Sequence, residues 1–438
     1  MNSHNTQECQ LLQRWSAIMS KKRDLIALAS IPLIMTLGNS MLLPVLPLVS
    51  HHLGISSFQV SLLITVYGVV AILMIPVAGF LSDRYGRKKI IVPSLLITAV
   101  GGAVAAVAAW LMTGLSAYWV ILAGRFLQGI GAAGAFPIVL PFVGDLFHDE
   151  KDVSKGLGLI ETSNTFGKVL SPILGALLGA ILWYLPFISI PALSMISFLM
   201  VMFMVRSPKR DESAKPSLRQ FLTQVRKVLG RKGRWLYAIF AIGGICMFVI
   251  FGVLFFLSET LEETYGMHGA MKGLVLAVPL ALLCLASYGT GKIIGQNKRL
   301  MKWMGFFGML LLTGAMVVCI VTDSIYWLLA WLCLAGIGIG ITLPSMDALI
   351  TEGIEKSSRG TITSLYSSMR FIGVSLGPPV VSLLMSAGQG LLFITMTAVG
   401  AAGGLLTLFA VRPKSSSPQP SAPQRVRGLQ AIRRKAPF

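Results

Sequence analysis

The chain has 438 residues, 55% of them hydrophobic and only 12% charged, with a mean hydropathy of +0.76. A soluble domain carries about a quarter charged residues, so this composition excludes one and fits an all-α polytopic membrane protein. The formal charge of +20 does not mark a nucleic-acid binder, because 33 of the 37 lysines and arginines fall in tails and loops on one side of the predicted spans.

Residues 1–23 form a polar tail whose apolar set, Leu11, Leu12, Trp15, Ile18 and Met19, either rests on the membrane surface or stays disordered. Twelve apolar runs of about twenty residues follow, each able to cross a bilayer as a helix. They are predicted near 25–49, 57–81, 90–112, 117–139, 156–181, 185–205, 235–257, 269–294, 303–322, 326–349, 361–386 and 389–411. The one-sided cations put both termini in the cytoplasm of a multi-pass cell-membrane protein. The first apolar run is full length and follows a polar tail, so no cleavable signal is expected. Cys9, Cys246, Cys284, Cys319 and Cys333 are isolated and suggest neither a metal site nor a disulfide framework.

Between the second and third runs lies a short polar loop, Gly79 to Ile90. Asp83 is its one acid among four cations, Arg84, Arg87, Lys88 and Lys89. It is placed to face an amide-rich helix start or an arginine across a bundle. Gly79 is expected to let a helix backbone approach a neighbour, and Gly86 to permit the tight turn. The string resembles the loop signature of the major facilitator superfamily, G-x-L-x-D-R-x-G-R-[KR]-x. That resemblance implies the major facilitator fold, twelve transmembrane helices arranged as two six-helix halves. It also implies secondary active transport, and a latch in which Asp83 meets the start of span eleven, here Arg359, Gly360 and Thr361.

The halves are read as 24–206 and 235–411. Gly129, Gly131 and Pro137 of span four recur as Gly336, Gly338 and Pro344 of span ten at a constant offset of 207, a register that Asp145 and Glu352 continue. Two such halves, related by an axis along the membrane normal, suit a rocking transporter with its site between them. The linker 207–234 has helical spacing of apolar residues among basic ones and is read as an amphipathic helix on anionic lipid, or as a solvated linker. The tail 412–438, rich in Ser, Pro and Arg, is expected to be disordered.

Besides Lys272 and Lys292 near the two ends of the eighth run, five charged residues fall inside the predicted spans: Arg125, Glu161, Lys168, Asp347 and Arg370. Facing lipid, the three cations together would cost on the order of 8–10 kcal/mol, so they should face a watery cavity or partners within the bundle. Arg125, with Gln128 and Gly129, resembles the R-x-x-Q-G motif of the family's fourth span. That resemblance assigns Arg125 to proton coupling; bracing helices through their carbonyls is the competing reading. Span five carries Gly167, Ser171, Pro172, Gly175 and Gly179 and resembles the antiporter motif of the twelve-span drug:proton antiporters, G-x(3)-G-P-x(3)-G. Ser171 departs from that motif, which has glycine there. The likeness extends to the Bacillus-type multidrug and siderophore exporters of this group.

Lys168 lies near mid-membrane by helix rise and can attract an anionic group or release a proton; a packing role is its alternative. Arg370 adds a second cation at comparable depth. Relatives often carry a buried acid in span one, where Asn39 is the nearest polar residue here. The predicted substrate cavity is thus Asn39, Gln128, Lys168 and Arg370. Glu161 and Asp347 join Arg125 as proton-coupling candidates, Glu161 preferred because it shares a face with Lys168. Gly289, Thr290, Gly291 and Lys292 are followed by Ile293, which fails the phosphate-loop pattern. No cofactor is therefore expected, and the proton gradient is the energy source.

The expected function is proton-coupled efflux of drugs or amphiphilic small molecules, by a transporter rather than an enzyme. Three buried cations disfavour lipophilic cations and keep an anionic metabolite, such as a catecholate siderophore, as the alternative. Proton-coupled import of an organic anion is a second alternative, and a sensor that kept the fold is a third. The expected partners are a small-molecule substrate, protons and membrane lipids, with the monomer as the working unit and no nucleic acid.

Overall fold

A computed structural model describes residues 3–147, 150–206, 223, 230, 233–295, 297–322, 324–354 and 356–411. Lipid offers no hydrogen-bond partners, so each apolar run must close its own backbone, which a helix does. Among the described residues twelve helices are long and apolar enough to cross a membrane. Spans one to six are Lys21–Leu53, Ser57–Tyr85, Arg87–Leu111, Gly114–Leu146, Gly156–Ile181 and Leu185–Met204. Spans seven to twelve are Arg234–Glu263, Gly269–Ile294, Lys298–Cys319, Ile325–Ile350, Ile362–Ala387 and Gln389–Ala410. The face from which spans one and twelve emerge at Lys21 and Ala410 is here the tail face, and its opposite the far face.

Three differences from the sequence reading stand out. The backbone before span one is neither loose nor separate: the helix begins at Ser3 and runs into the span as far as Ser40. Span seven extends to Glu263, past the expected end at 257, because Ser258, Glu259 and Leu261 are buried against the first half instead of meeting water. Span four likewise runs on to Leu146, with Phe142 and Val143 buried. The amphipathic helix expected in 207–234 and the tail 412–438 lie outside the described residues, save Thr223, Gly230, Gly233 and Arg234.

The turns follow from local chemistry. Gly54 ends the helix before span two in the left-handed region, and Ser56 with Gln59 forms a capping box that starts that span. Gly86, at φ 106, makes the break between spans two and three that was expected of it. Gly79 does not play its expected part: nothing lies within 4 Å of where its Cβ would be, so no helix approaches there.

The repeat read from the glycines is also a packing repeat. A Cβ on Gly129 would meet the Tyr67 carbonyl of span two at 2.6 Å, and one on Gly336 the Pro279 carbonyl of span eight at 2.5 Å. Gly131 sits on span three, against the Ser94 carbonyl at 2.5 Å, as Gly338 sits on span nine, against the Gly308 carbonyl at 2.5 Å. Backbones approach this closely only where the residue facing the neighbouring carbonyl lacks a side chain.

The halves meet along span two with span eleven and span five with span eight. On the far face they are sealed together. Ser258 donates to the Leu43 carbonyl at 3.0 Å, Lys272 to the Pro44 carbonyl at 2.8 Å, and Ser57 to Glu259 at 3.4 Å. One continuous apolar core joins the second half to the far-face part of the first, Met41, Leu46, Ile64, Tyr118 and Phe187 among its members. The tail-face part of the first half keeps a core of its own, including Leu28, Leu95, Phe142 and Val201. The conformation is closed at the far face, with the halves less joined towards the tail face. Exposed Trp110, Trp119 and Trp327 ring the far face, and Tyr85, Tyr237 and Trp303 the tail face, where such rings anchor a protein in lipid.

Candidate functional site

A cavity of about 590 Å³ lies between the halves, lined by residues of spans one, two, four, five, seven and eleven. Asn39, Lys168 and Arg370, all expected there, are in its wall with Tyr67, Phe136 and Phe371. A second space of about 450 Å³ lies beside it toward the far face and shares Ser40, Lys168, Met247 and Phe251. Lys168 therefore stands at the junction of both.

Among the described residues the Lys168 ammonium has no hydrogen-bond or ion-pair partner, although it is half-buried. Its electrostatic neighbours are Arg370, Glu161, Cys284 and Asp347. Glu161, read as sharing a face with Lys168, makes no bond to it. The Glu161 side chain is exposed and accepts from Asn164 at 3.3 Å, and Asn164 in turn receives the Thr36 hydroxyl at 2.6 Å. Arg370 is not a lone cation: it lies 3.9 Å from Asp347 of span ten and over the ring of Tyr366.

Arg125, expected to face either a watery cavity or partners within the bundle, faces partners. It is fully buried behind Asn39 and Tyr67, where its three nitrogens are all used. Nε donates to the Leu63 carbonyl at 2.8 Å, Nη1 to Gln128 at 2.5 Å and Nη2 to Asn39 at 2.5 Å, while Tyr67 lies 4.5 Å from the guanidinium. Gln128 shares that buried position and is likewise absent from the cavity wall. A guanidinium tied by this fork links spans one, two and four behind the cavity. Its link to the cavity is Asn39, which belongs to both.

Span five is built to come close to its neighbours. Gly167 faces the Leu33 carbonyl at 3.0 Å, and Gly175 rests directly on the Met41 carbonyl, so both glycines serve the crossing with span one. Ser171, fully buried, donates to the Lys168 carbonyl at 3.0 Å. That carbonyl would ordinarily receive the N–H of residue 172, which Pro172 lacks. The departure from the motif thus repairs a bond that the motif breaks.

The Asp83 loop forms a network within its own half. Asp83 pairs with Arg87, which also holds Asp145 of span four at 3.1 Å and the Ser82 hydroxyl at 2.7 Å. Lys88 donates to the carbonyls of Met202 at 2.9 Å and Val205 at 2.6 Å, capping the end of span six. Arg84 is exposed beside Tyr85. The expectation that Asp83 reaches the start of span eleven falls on side chains 355–361, outside the described ones.

One group was missed. Glu259 and Lys272, each 1% exposed, are buried charges within spans seven and eight, with Glu262 beside them. Three acids, Glu259, Glu262 and Glu263, within five residues at the end of an apolar run were the available signal, but ending span seven at 257 put them in water.

The sequence pattern of the Major Facilitator Superfamily matches residues 28–378 and 302–438. The chain is 54% identical over 395 residues to the bacillibactin exporter of Bacillus subtilis (strain 168), covering 90% of this chain and 98% of that protein. It is 26% identical over 417 residues to the class C tetracycline resistance protein of Escherichia coli, covering 90% and 98%. The crystal structure of a bacterial homologue of the human lysosomal transporter Spinster superposes with a TM-score of 0.73 at 18% identity, covering 91% of this chain and 99% of that one. Its fold is shared. Two six-span halves around a central cavity, with this sequence kinship over nearly the whole length, make the chain a multi-pass membrane transporter that belongs to the Major Facilitator Superfamily.

Proposed function

We propose that the chain is a proton-driven exporter of an amphiphilic organic anion of the catecholate-siderophore kind. In this reading it works as a monomer in the cytoplasmic membrane, with both termini and the tail face inside. The observation that carries it is Lys168, a half-buried ammonium without a partner where two central spaces join. A cation held there has no countercharge in direct contact, and an anionic substrate supplies one. Arg370 adds a donor whose charge Asp347 offsets, so the wall is basic without a prohibitive sum. Tyr67, Phe136 and Phe371 offer ring faces to the flat part of such a ligand. The kinship with an exporter named for bacillibactin supports the same choice. The one-sided cations support the orientation. A far face held shut over the cavity suits loading from the cytoplasm, and the proton gradient needs no cofactor.

A second reading, efflux of lipophilic drugs, is favoured by Met35, Met247 and the three rings of the wall, which adapt to many shapes. The test uses everted vesicles holding an acid-inside pH gradient. Bacillibactin and a lipophilic cation are added in turn to wild type and to Lys168→Ala. Proton release with bacillibactin, lost in Lys168→Ala, supports the anion exporter. Release with the cation alone, unaffected by Lys168→Ala, replaces it with the drug reading.

A further inference from the structure

The far-face seal contains a carboxylate with no ion pair of its own among the described residues. Glu259 is 1% exposed, and its Oε1 has no hydrogen-bond partner. Its Oε2 accepts the Ser57 hydroxyl, at 3.4 Å, from the other half, and the Glu263 carboxyl stands within hydrogen-bonding reach on the same helix. The cation nearest in kind is already committed: Lys272 donates to Glu262 at 2.5 Å and to the Pro44 carbonyl at 2.8 Å. The other titratable groups around Glu259 are Glu263, exposed one turn along the same helix, and His268, which lies 3.9 Å from Glu262. The seal's contacts from spans one and two bring the carbonyls of Leu43 and Pro44 and the Ser57 hydroxyl, with no charge. One ammonium therefore serves three carboxylates, and Glu262 takes it.

Building on the reading of the chain as a proton-driven exporter, we propose that Glu259 is a proton-binding site fed from the far side, and that proton binding there holds the far-face gate shut. A buried, ionised carboxyl with a free oxygen is expensive, whereas its neutral form is not and gains a hydrogen to donate. Its partner Ser57 belongs to the first half, as do Leu43 and Pro44, which hold the neighbouring Ser258 and Lys272. When the halves part at the far face, those partners leave, water reaches Glu259, and the charged form becomes affordable. Closing again requires a proton, and the water then in contact with the site is that of the far side. The emptied carrier thus closes only after taking a proton from outside, so Glu259 gates closing, while the proton that crosses to the tail face is carried by other groups. None of Arg125, Glu161 or Asp347 takes part in this step.

The test places spin labels on exposed far-face residues of the two halves, by Ser56→Cys and Thr264→Cys in a chain with its five native cysteines replaced. The full-length protein in lipid nanodiscs is followed by electron–electron double resonance from about pH 5 to about pH 9, a range that lies above ordinary carboxylates and takes in buried ones. The parted population is expected to rise about threefold or more with pH in wild type and to stay low and flat in Glu259→Gln. A wild-type population indifferent to pH, or an unchanged pH response in Glu259→Gln, overturns the proposal. Should Glu259→Gln not fold, the wild-type infrared band of neutral carboxylic acid decides: it must fade in step with the closed population, and independence of the two overturns the proposal. Substrate-driven proton release in everted vesicles is measured separately. Its absence with an intact pH-responsive gate removes the exporter reading alone, while normal release with a pH-blind gate removes the Glu259 site alone.

Discussion

Ser171 donates its hydroxyl to the Lys168 carbonyl at 3.0 Å, filling the place of the N–H that Pro172 does not have. The bend in span five and the position of its lysine are therefore one feature. Ser171→Ala leaves a buried carbonyl without its donor, which costs about 1 kcal/mol. The variant should unfold at a lower temperature in detergent and bind the anion several-fold more weakly, while Ser171→Thr retains both properties. A Ser171→Ala protein equal to wild type in melting and binding would show that the bond is idle.

Asn39 joins Arg125 to the cavity, receiving Nη2 at 2.5 Å while lining the cavity wall. Asn39→Ala removes a buried, charge-assisted hydrogen bond worth about 1.5–3 kcal/mol. The expected result is loss of transport with substrate binding reduced but measurable. Asn39→Asp places an acid against the guanidinium and should shift the pH profile of transport, because the new carboxylate titrates where the amide does not. Flux and its pH profile in reconstituted vesicles check both, and a profile unmoved in Asn39→Asp counts against any link between this pair and protons.

Arg87 holds Asp83 and Asp145 at once, at 19% side-chain exposure, so the network that fixes the loop to span four depends on one side chain. Pairs this exposed contribute about 0–1 kcal/mol each, too little to threaten folding. Asp83→Asn and Arg87→Ala should therefore fold, bind substrate with near-normal affinity and turn over at least several-fold more slowly. Intact turnover in Asp83→Asn would sink the latch.

Gly273 of span eight faces the Pro172 carbonyl of span five at 2.6 Å and the Ala176 methyl at 2.9 Å, across the boundary between halves. An added methyl there wedges the far face, and rigid helix backbones cannot absorb it locally. Gly273→Ala should shift the population toward the parted far face, read as a longer distance between labels at Ser56 and Thr264. Gly175→Ala, pressed on the Met41 carbonyl within one half, should lower stability without that shift. The reverse pattern would mean that the halves do not pivot along this contact.

Much of the site was legible because lipid makes a buried charge conspicuous. Lys168 and Arg370 stood out as cations in apolar runs, and both reach the cavity. Arg125 stood out for the same reason yet lies behind the wall, since a sequence shows that a charge is buried but not what it faces. Gln128, expected in the wall, lies behind it with Arg125. Glu259 was lost to a span boundary. Polar residues at a helix end look solvated until the other half of the molecule is seen to cover them.

Twelve spans, their one-sided cations and the glycine repeat were fixed by local physics alone. A bilayer demands runs of a set length, closed backbones and small residues wherever helices touch, and each demand leaves its mark along the chain. The pairing of charges was decided only in three dimensions. Arg370 with Asp347, Arg87 with Asp145, and Lys272 with Glu262 and Pro44 join residues from different helices, the last across both halves. Helix rotation and the meeting of two independently built halves set those distances, and no spacing within one helix encodes them.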